Sequence, residues 1–178
     1  MANKYLFYFG KGLNKIINFC KYFAWIIRKK SLPGSLVILY KKSRKDTKFL
    51  LVKQKGGNRI TFPSGFMTPG ESFYETAIKE VYEETGYKLE RLKTTRIAHS
   101  FTHPKMPFQP KITQKIFLGD LSINHLDSKQ VLVTSNILRP MWRNKEEVTK
   151  LLTYPELISA FKKILPIIKE YPAESKEP

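Results

Sequence analysis

Apolar and polar positions change period several times along the chain, and each change predicts an element. SLVILY at 35–40 and KFLLVKQ at 48–54 are β-branched, apolar runs separated by the polar stretch KKSRKDT, so they read as a hairpin. RITF at 59–62 is a short third strand closed by Pro63, and GFMTPGE at 65–71 is a loop supplied with Gly65 and Gly70. The period then lengthens. Tyr74, Ile78 and Val81 recur at helical spacing, Ser72 is placed to cap with Glu75 three residues on, and Gly86 is a stop, which predicts a helix from Ser72 to Thr85. RIAHSFTH at 96–103 and ITQKIFLGDL at 112–121 read as strands split by the proline-rich PKMPFQPK. NKEEVTKLL at 144–152 and YPELISAFKKILPIIKE at 154–170 read as helices, with Pro166 a kink or stop. The order mixes strands and helices without a regular βαβ alternation. It predicts an α/β protein with a mixed sheet covered by helices, not a doubly wound one.

Ahead of this body, Tyr5 to Ile27 is hydrophobic but interrupted by Lys11, Lys15 and Lys21, so it falls short of the roughly 18 uncharged residues of a spanning helix. The lysines also break any secretory-signal pattern, which leaves a cytoplasmic location as the expectation. On a helical wheel Leu13, Ile16, Ile17, Cys20, Phe23, Ala24 and Ile27 share one face, and Lys15, Asn18, Tyr22, Trp25 and Lys29 lie opposite. This is a basic amphipathic helix. It can lie on an anionic membrane through residues 11–30, or pack its apolar face on the domain or on a second copy in a homodimer. Pro33 and Gly34 mark its end, which divides the chain into an extension at 1–33, a domain at 34–170 and a flexible tail at 171–178.

Charge sharpens that division. The chain has 32 Lys+Arg against 15 Asp+Glu, net +17, and residues 1–45 contribute +11 of it with no acid before Asp46. A hydrophobic fraction of 42% supports a sizeable core, and a lone Cys20 excludes an intrachain disulfide scaffold. The acids are concentrated in turn: Glu71, Glu75, Glu80, Glu83 and Glu84 fall within fourteen positions of a basic protein. On charge alone a solvated helix face explains them. Their spacing adds something, since Glu83 and Glu84 stand at i+3 and i+4 from Glu80 and so share a helix face. Like charges placed this way repel, and a divalent cation with oxygen ligands, Mg²⁺ above all, relieves the repulsion. Thr76 and Ala77 beside that face are small enough for a loop or substrate to approach.

GFMTPGESFYETAIKEVYEETGY at 65–87 resembles the Nudix box, G-x5-E-x7-R-E-U-x-E-E-x-G-U with U bulky and apolar: Gly65, Glu71, Glu80, Val81, Glu83, Glu84 and Gly86 fall in register. Lys79 stands where the family has Arg, and Tyr87 occupies the last, usually aliphatic, place. The resemblance implies a Nudix-like α/β/α sandwich around a mixed β-sheet. It also implies a hydrolase that cleaves a nucleoside diphosphate linked to another moiety, with Mg²⁺ or Mn²⁺. Glu80, Glu83 and Glu84 match the family's metal ligands, Glu80 and Glu83 with Lys79 its catalytic set, and Gly65, Glu71 and Gly86 supporting positions. The general base matches Glu80 in some members and a later loop acid in others, for which Asp120, Asp127, Glu146 and Glu147 are available. Lys keeps the charge of the family's Arg but not its planar fork.

Substrate choice lies outside the box. Pro104 stands near a proline that resembles the marker of ADP-ribose hydrolases, and HPKMPFQP faintly resembles the segment of NADH-type members. His99, Phe101 and His103 alternate on one strand, and with Tyr40 and Trp142 they are candidates to meet a base or phosphates. The body's net +6 suits polyanionic small molecules, while no motif supports nucleic acid. The alternative function is a catalytically weak Nudix-fold binding or regulatory protein, docked on an anionic membrane or nucleic acid through the basic helix.

Overall fold

The computed structural model describes residues 31–43, 46–54, 59–102, 111–121 and 137–169. The amphipathic helix expected over 11–30, His103, Asp127 and the tail lie outside the described residues. Those described form seven strands and three helices: β1 (Ser31–Lys42), β2 (Thr47–Gln54), β3 (Ile60–Thr61), β4 (Ser64–Phe66), α1 (Phe73–Thr85), β5 (Lys93–Thr102), β6 (Lys111–Asp120), β7 (Ile137–Arg143), α2 (Lys145–Leu151) and α3 (Pro155–Lys169).

The expected hairpin is present, with Tyr40 opposite Phe49 and Lys42 opposite Thr47. β1 and β2 pair only near their turn. Farther out, β1 pairs antiparallel with β4 and β2 pairs with β3, so residues 60–66 bridge the two strands. On its other edge β1 runs parallel to β6 from Ser31↔Lys111 to Tyr40↔Asp120, and β6 pairs antiparallel with β5. The sheet is therefore mixed, in the order β3-β2-β1-β6-β5, with β4 against β1 and β7 against β2.

β1 starts four residues earlier than the sequence predicts, because Pro33 and Gly34 are drawn into the parallel ladder instead of ending a helix. Gly34 is required there: a Cβ would fall on the carbonyl oxygen of Gly65 in β4. β7, absent from the sequence reading, pairs with β2 through a register shift between Leu51 and Lys53 that accommodates Pro140. α3 runs through Pro166 to Lys169, neither stopping nor ending there. Pro166 is exposed, so the carbonyl it leaves unpaired can be solvated.

Alternate residues of the central strands feed two apolar layers. Leu36, Ile38, Phe49, Leu51, Ile116 and Leu118 pack on one face against Val148 of α2 and Phe161 and Ile164 of α3. Phe161 sits edge-on to Phe49 at 4.9 Å between ring centres. Val37, Leu39, Leu50 and Phe117 pack on the opposite face against Ala77 and Val81 of α1. This gives the α/β/α layering. Tyr40 is buried in the first of these clusters, so its assignment as a substrate contact is corrected: an inward-facing strand position gave it a core role. Tyr74 differs in the other sense. It is partly exposed, with its ring edge-on to Phe117 and its hydroxyl accepting from the Leu92 N–H, while Ala77 takes the core position beside Val81.

Candidate functional site

α1 begins and ends as its sequence dictates. The Glu75 N–H donates to Ser72 Oγ at 3.1 Å and the Ser72 N–H to Glu75 Oε2 at 2.7 Å, a reciprocal cap. Gly86 closes the helix at φ 74°, a left-handed conformation that suits glycine, and donates to the Tyr82 carbonyl. On the sheet side, the Ser35 hydroxyl donates to the Phe73 carbonyl at 2.6 Å and fixes the helix start on β1.

The loop before α1 is clamped by Glu71. Its Oε1 is 2.7 Å from Lys79 Nζ, and its Oε2 accepts from the Thr68 N–H at 3.0 Å and the Thr76 hydroxyl at 3.1 Å. Burial works to raise this carboxyl, but the bonds from Lys79, Thr68 and Thr76 outweigh it and bring the pKa to about 2. Glu71 is thus a permanent anion that ties loop to helix. Lys79 is correspondingly held as a cation, its own burial being outweighed by Glu71.

The three acids of the C-terminal half of α1 meet different surroundings. Glu80 is half-buried, and its carboxylate lies against Gly65, where a Cβ would collide with it. Its pKa is pushed up to about 7, by burial first and then by the charge of Glu83, with Lys79 opposing. Glu84 is 9% exposed and turns toward β4, accepting the Ser64 N–H at 3.0 Å. Burial raises it to about 8, the Ser64 bond opposing and the charges of Glu80 and Glu83 adding. Glu83 is exposed. Their donor set is all hard oxygen, and the two raised carboxyls mark a place where positive charge would be favourable, so the chemistry suits a divalent cation. Among the described residues no group of three His, Cys, Asp or Glu side chains stands close enough to hold a metal as placed. The acids suggested for a second base are elsewhere. Glu147 caps α2 through Asn144, Glu146 is exposed, and neither these nor Asp120 is among the charges acting on Glu80 or Glu84.

Beside β4, on the α3 side of the sheet, is a recess of about 130 Å³ whose lining includes Arg59, Ser64, Gly65, His99, Phe101, Gln114 and Tyr154. His99 and Phe101 therefore come together as the alternation on β5 predicts, their rings stacked at 5.0 Å, with Phe101 in turn 6.1 Å from Tyr154. Gln114, Arg59 and Tyr154 were not foreseen. A signal for Gln114 exists in the β6 alternation, where it is the polar member of the series Ile112, Gln114, Ile116, Leu118. Trp142 lies away from this recess, with Tyr87 at 6.5 Å and the Lys41 ammonium 4.4 Å over its ring. No described helix is long and apolar enough to cross a membrane.

A family model described as NUDIX domain matches residues 31–160. YjhB of Bacillus subtilis (strain 168), provisionally named an ADP-ribose pyrophosphatase, is 35% identical over 77 residues, which take in 42% of this chain and 36% of YjhB. The chain thus spans about a third of the length of the curated relatives it matches. A Listeria monocytogenes protein, provisionally titled a NUDIX hydrolase, superposes with a TM-score of 0.64 at 19% identity over 77% of this chain and 94% of its own. The Caenorhabditis elegans Ap4A hydrolase in a binary complex gives 0.62 at 19% identity over 79% and 99%. At these identities the structural matches establish the fold.

Proposed function

This chain belongs to the NUDIX domain family, and from that premise we propose that it is a hydrolase that cleaves the pyrophosphate bond of a nucleoside diphosphate linked to another moiety. The observation that carries the reading is the crowding of Glu80, Glu83 and Glu84 on the C-terminal half of α1, with Lys79 the opposing cation named beside Glu80. Glu80, Glu83 and Glu84 would hold Mg²⁺, or Mn²⁺ in its place. When bound, the cation supplies positive charge against the diphosphate oxygens and acidity to a coordinated water.

The chain's own groups do the rest. A water oxygen forms a bond to phosphorus, the bridging P–O bond breaks with its electron pair leaving on the departing phosphate, and the water proton passes to the Glu80 carboxylate. Gly65 leaves room for that carboxylate, the Ser64 N–H orients Glu84, and Glu71 with Lys79 fixes the loop over the helix. The names carried by relatives, an ADP-ribose pyrophosphatase and an Ap4A hydrolase, favour nucleotide-type substrates.

The test is turnover of ADP-ribose, NADH, dinucleoside polyphosphates and triphosphorylated RNA with Mg²⁺ or Mn²⁺, followed by product analysis. We expect hydrolysis of at least one, lost in Glu83→Gln and in Glu84→Gln. No turnover with either metal would leave a binding or regulatory protein as the better reading.

A further inference from the structure

We propose that Thr76 is a positioning residue for the loop over α1, its hydroxyl supplying the second helix-side donor to Glu71 that Lys79 alone cannot provide. Thr76 is fully buried. Its one hydroxyl hydrogen has two acceptors in reach, the Ser72 carbonyl at 3.0 Å and Glu71 Oε2 at 3.1 Å. The carbonyl already accepts the Thr76 N–H at 3.0 Å, and a carboxylate takes a charge-assisted bond roughly twice as strong as a neutral one. Glu71 therefore has the stronger claim on the proton. Thr85 and Thr149 do what helical threonines ordinarily do, each donating to the carbonyl four residues back.

An ammonium is a point donor. Lys79 reaches Oε1 at 2.7 Å, and that contact by itself leaves the carboxylate plane free to turn. An arginine would grip both oxygens with its planar fork. Here the grip is divided between two residues three positions apart on one face of α1, Lys79 on Oε1 and Thr76 on Oε2. The Thr68 N–H, the other donor to Oε2, belongs to the loop and ties Glu71 to its own turn, not to the helix. The position bears on the site. Glu80 stands one helical turn on from Thr76. β4 is held to α1 by the Ser64–Glu84 bond at one end and, through residues 67–71, by this divided fork at the other. Without the Thr76 hydroxyl the loop keeps its charge contact and loses its fixed orientation beside Glu80.

The catalytic consequence rests on the proposed reading, but the pairing of Thr76 with Lys79 is tested without turnover, by urea unfolding of the full chain in the absence of metal. Thr76→Val keeps the shape of the side chain and removes the hydroxyl. It should lower the folded-to-unfolded ratio by about tenfold, the scale of one bond to a charged group. In a Lys79→Arg background the same substitution should cost less than about threefold, because the guanidinium then holds Oε2 as well. Thr76→Ser retains the hydroxyl and should stay within about threefold of the parent. Should Thr76→Val fail to fold, Thr76→Ala is read by the same difference between the two backgrounds. For a substrate that is turned over, Thr76→Val should lower kcat by about tenfold or more with KM little changed, and Lys79→Arg should restore it. An equal loss in both backgrounds, a Thr76→Ser as damaged as Thr76→Val, or a kcat that Thr76→Val does not move would each overturn the proposal. A loss confined to the lysine background in a protein that hydrolyses nothing would instead defeat the hydrolase reading and leave the pairing standing.

Discussion

The carboxylate of Glu80 occupies the space that a side chain on Gly65 would fill. Gly65 therefore owes its identity to a residue fifteen positions away, not to its backbone conformation, since the positive-φ glycines among the described residues are Gly70 and Gly86. Gly65→Ala should displace the acid while leaving the apolar layers intact. We expect kcat to fall by about 100-fold, the scale on which roughly 1 Å of misplacement acts, with little change in the urea midpoint. Full activity in this variant would remove Glu80 from the reaction.

Gly34→Ala makes the contrasting case, because the new methyl group meets the backbone carbonyl of Gly65 and not a side-chain end. β1 and β4 must separate, and the Ser64 and Gly65 positions move with β4. Activity and stability should fall together, the latter by about 1–3 kcal/mol as for other overpacked sites, measured by urea unfolding.

Glu71 predicts an acid-side dependence. Its folded pKa of about 2 lies below the ordinary 4.5, so its contribution is fully present above pH 4.5 and is lost as pH falls toward 2. In Glu71→Gln the thermal midpoint should be lower than that of the parent at pH 6 and converge on it near pH 2. Parallel curves across that range would show the clamp contributes nothing.

Glu80 and Glu84 predict the opposite slope. Both folded pKa values are raised, to about 7 and about 8, so in metal-free protein their contribution is present below pH 4.5 and is lost as pH rises through those values. Glu84→Gln should flatten the loss of stability between pH 5 and 8. Adding Mg²⁺ at pH 8 should raise the thermal midpoint of the parent but not of Glu84→Gln, and an equal rise in both would argue that the ion binds elsewhere.

The sequence spoke clearly where local rules are complete in themselves. The Ser72–Glu75 cap, the Gly86 stop and the alternation that puts His99 beside Phe101 need only neighbours in the chain, and all are present. What it left unread depends on distant partners. β7 carries Pro140 and reads as a loop until β2 offers a register shift to receive it. Tyr40 looked like a base-stacking ring until two layers closed over it. Glu84 shares a helix face with Glu83 in projection, yet Ser64 turns it inward by a bond across twenty residues that no periodicity encodes. Gln114 stands out in the β6 alternation as its polar member, but its place opposite His99 comes from the pairing of β5 with β6.

The parallel pairing of β1 with β6 also shapes how the chain reaches its fold. Ser31 finds Lys111 eighty positions later, so during synthesis at roughly 5–20 residues per second that edge of β1 waits about 4–16 s for its partner. Through that interval a strand containing LVILY has no β6 edge to pair with, and such an edge invites pairing between chains. A chaperone that covers residues 35–40 through that interval would therefore protect the yield of folded protein.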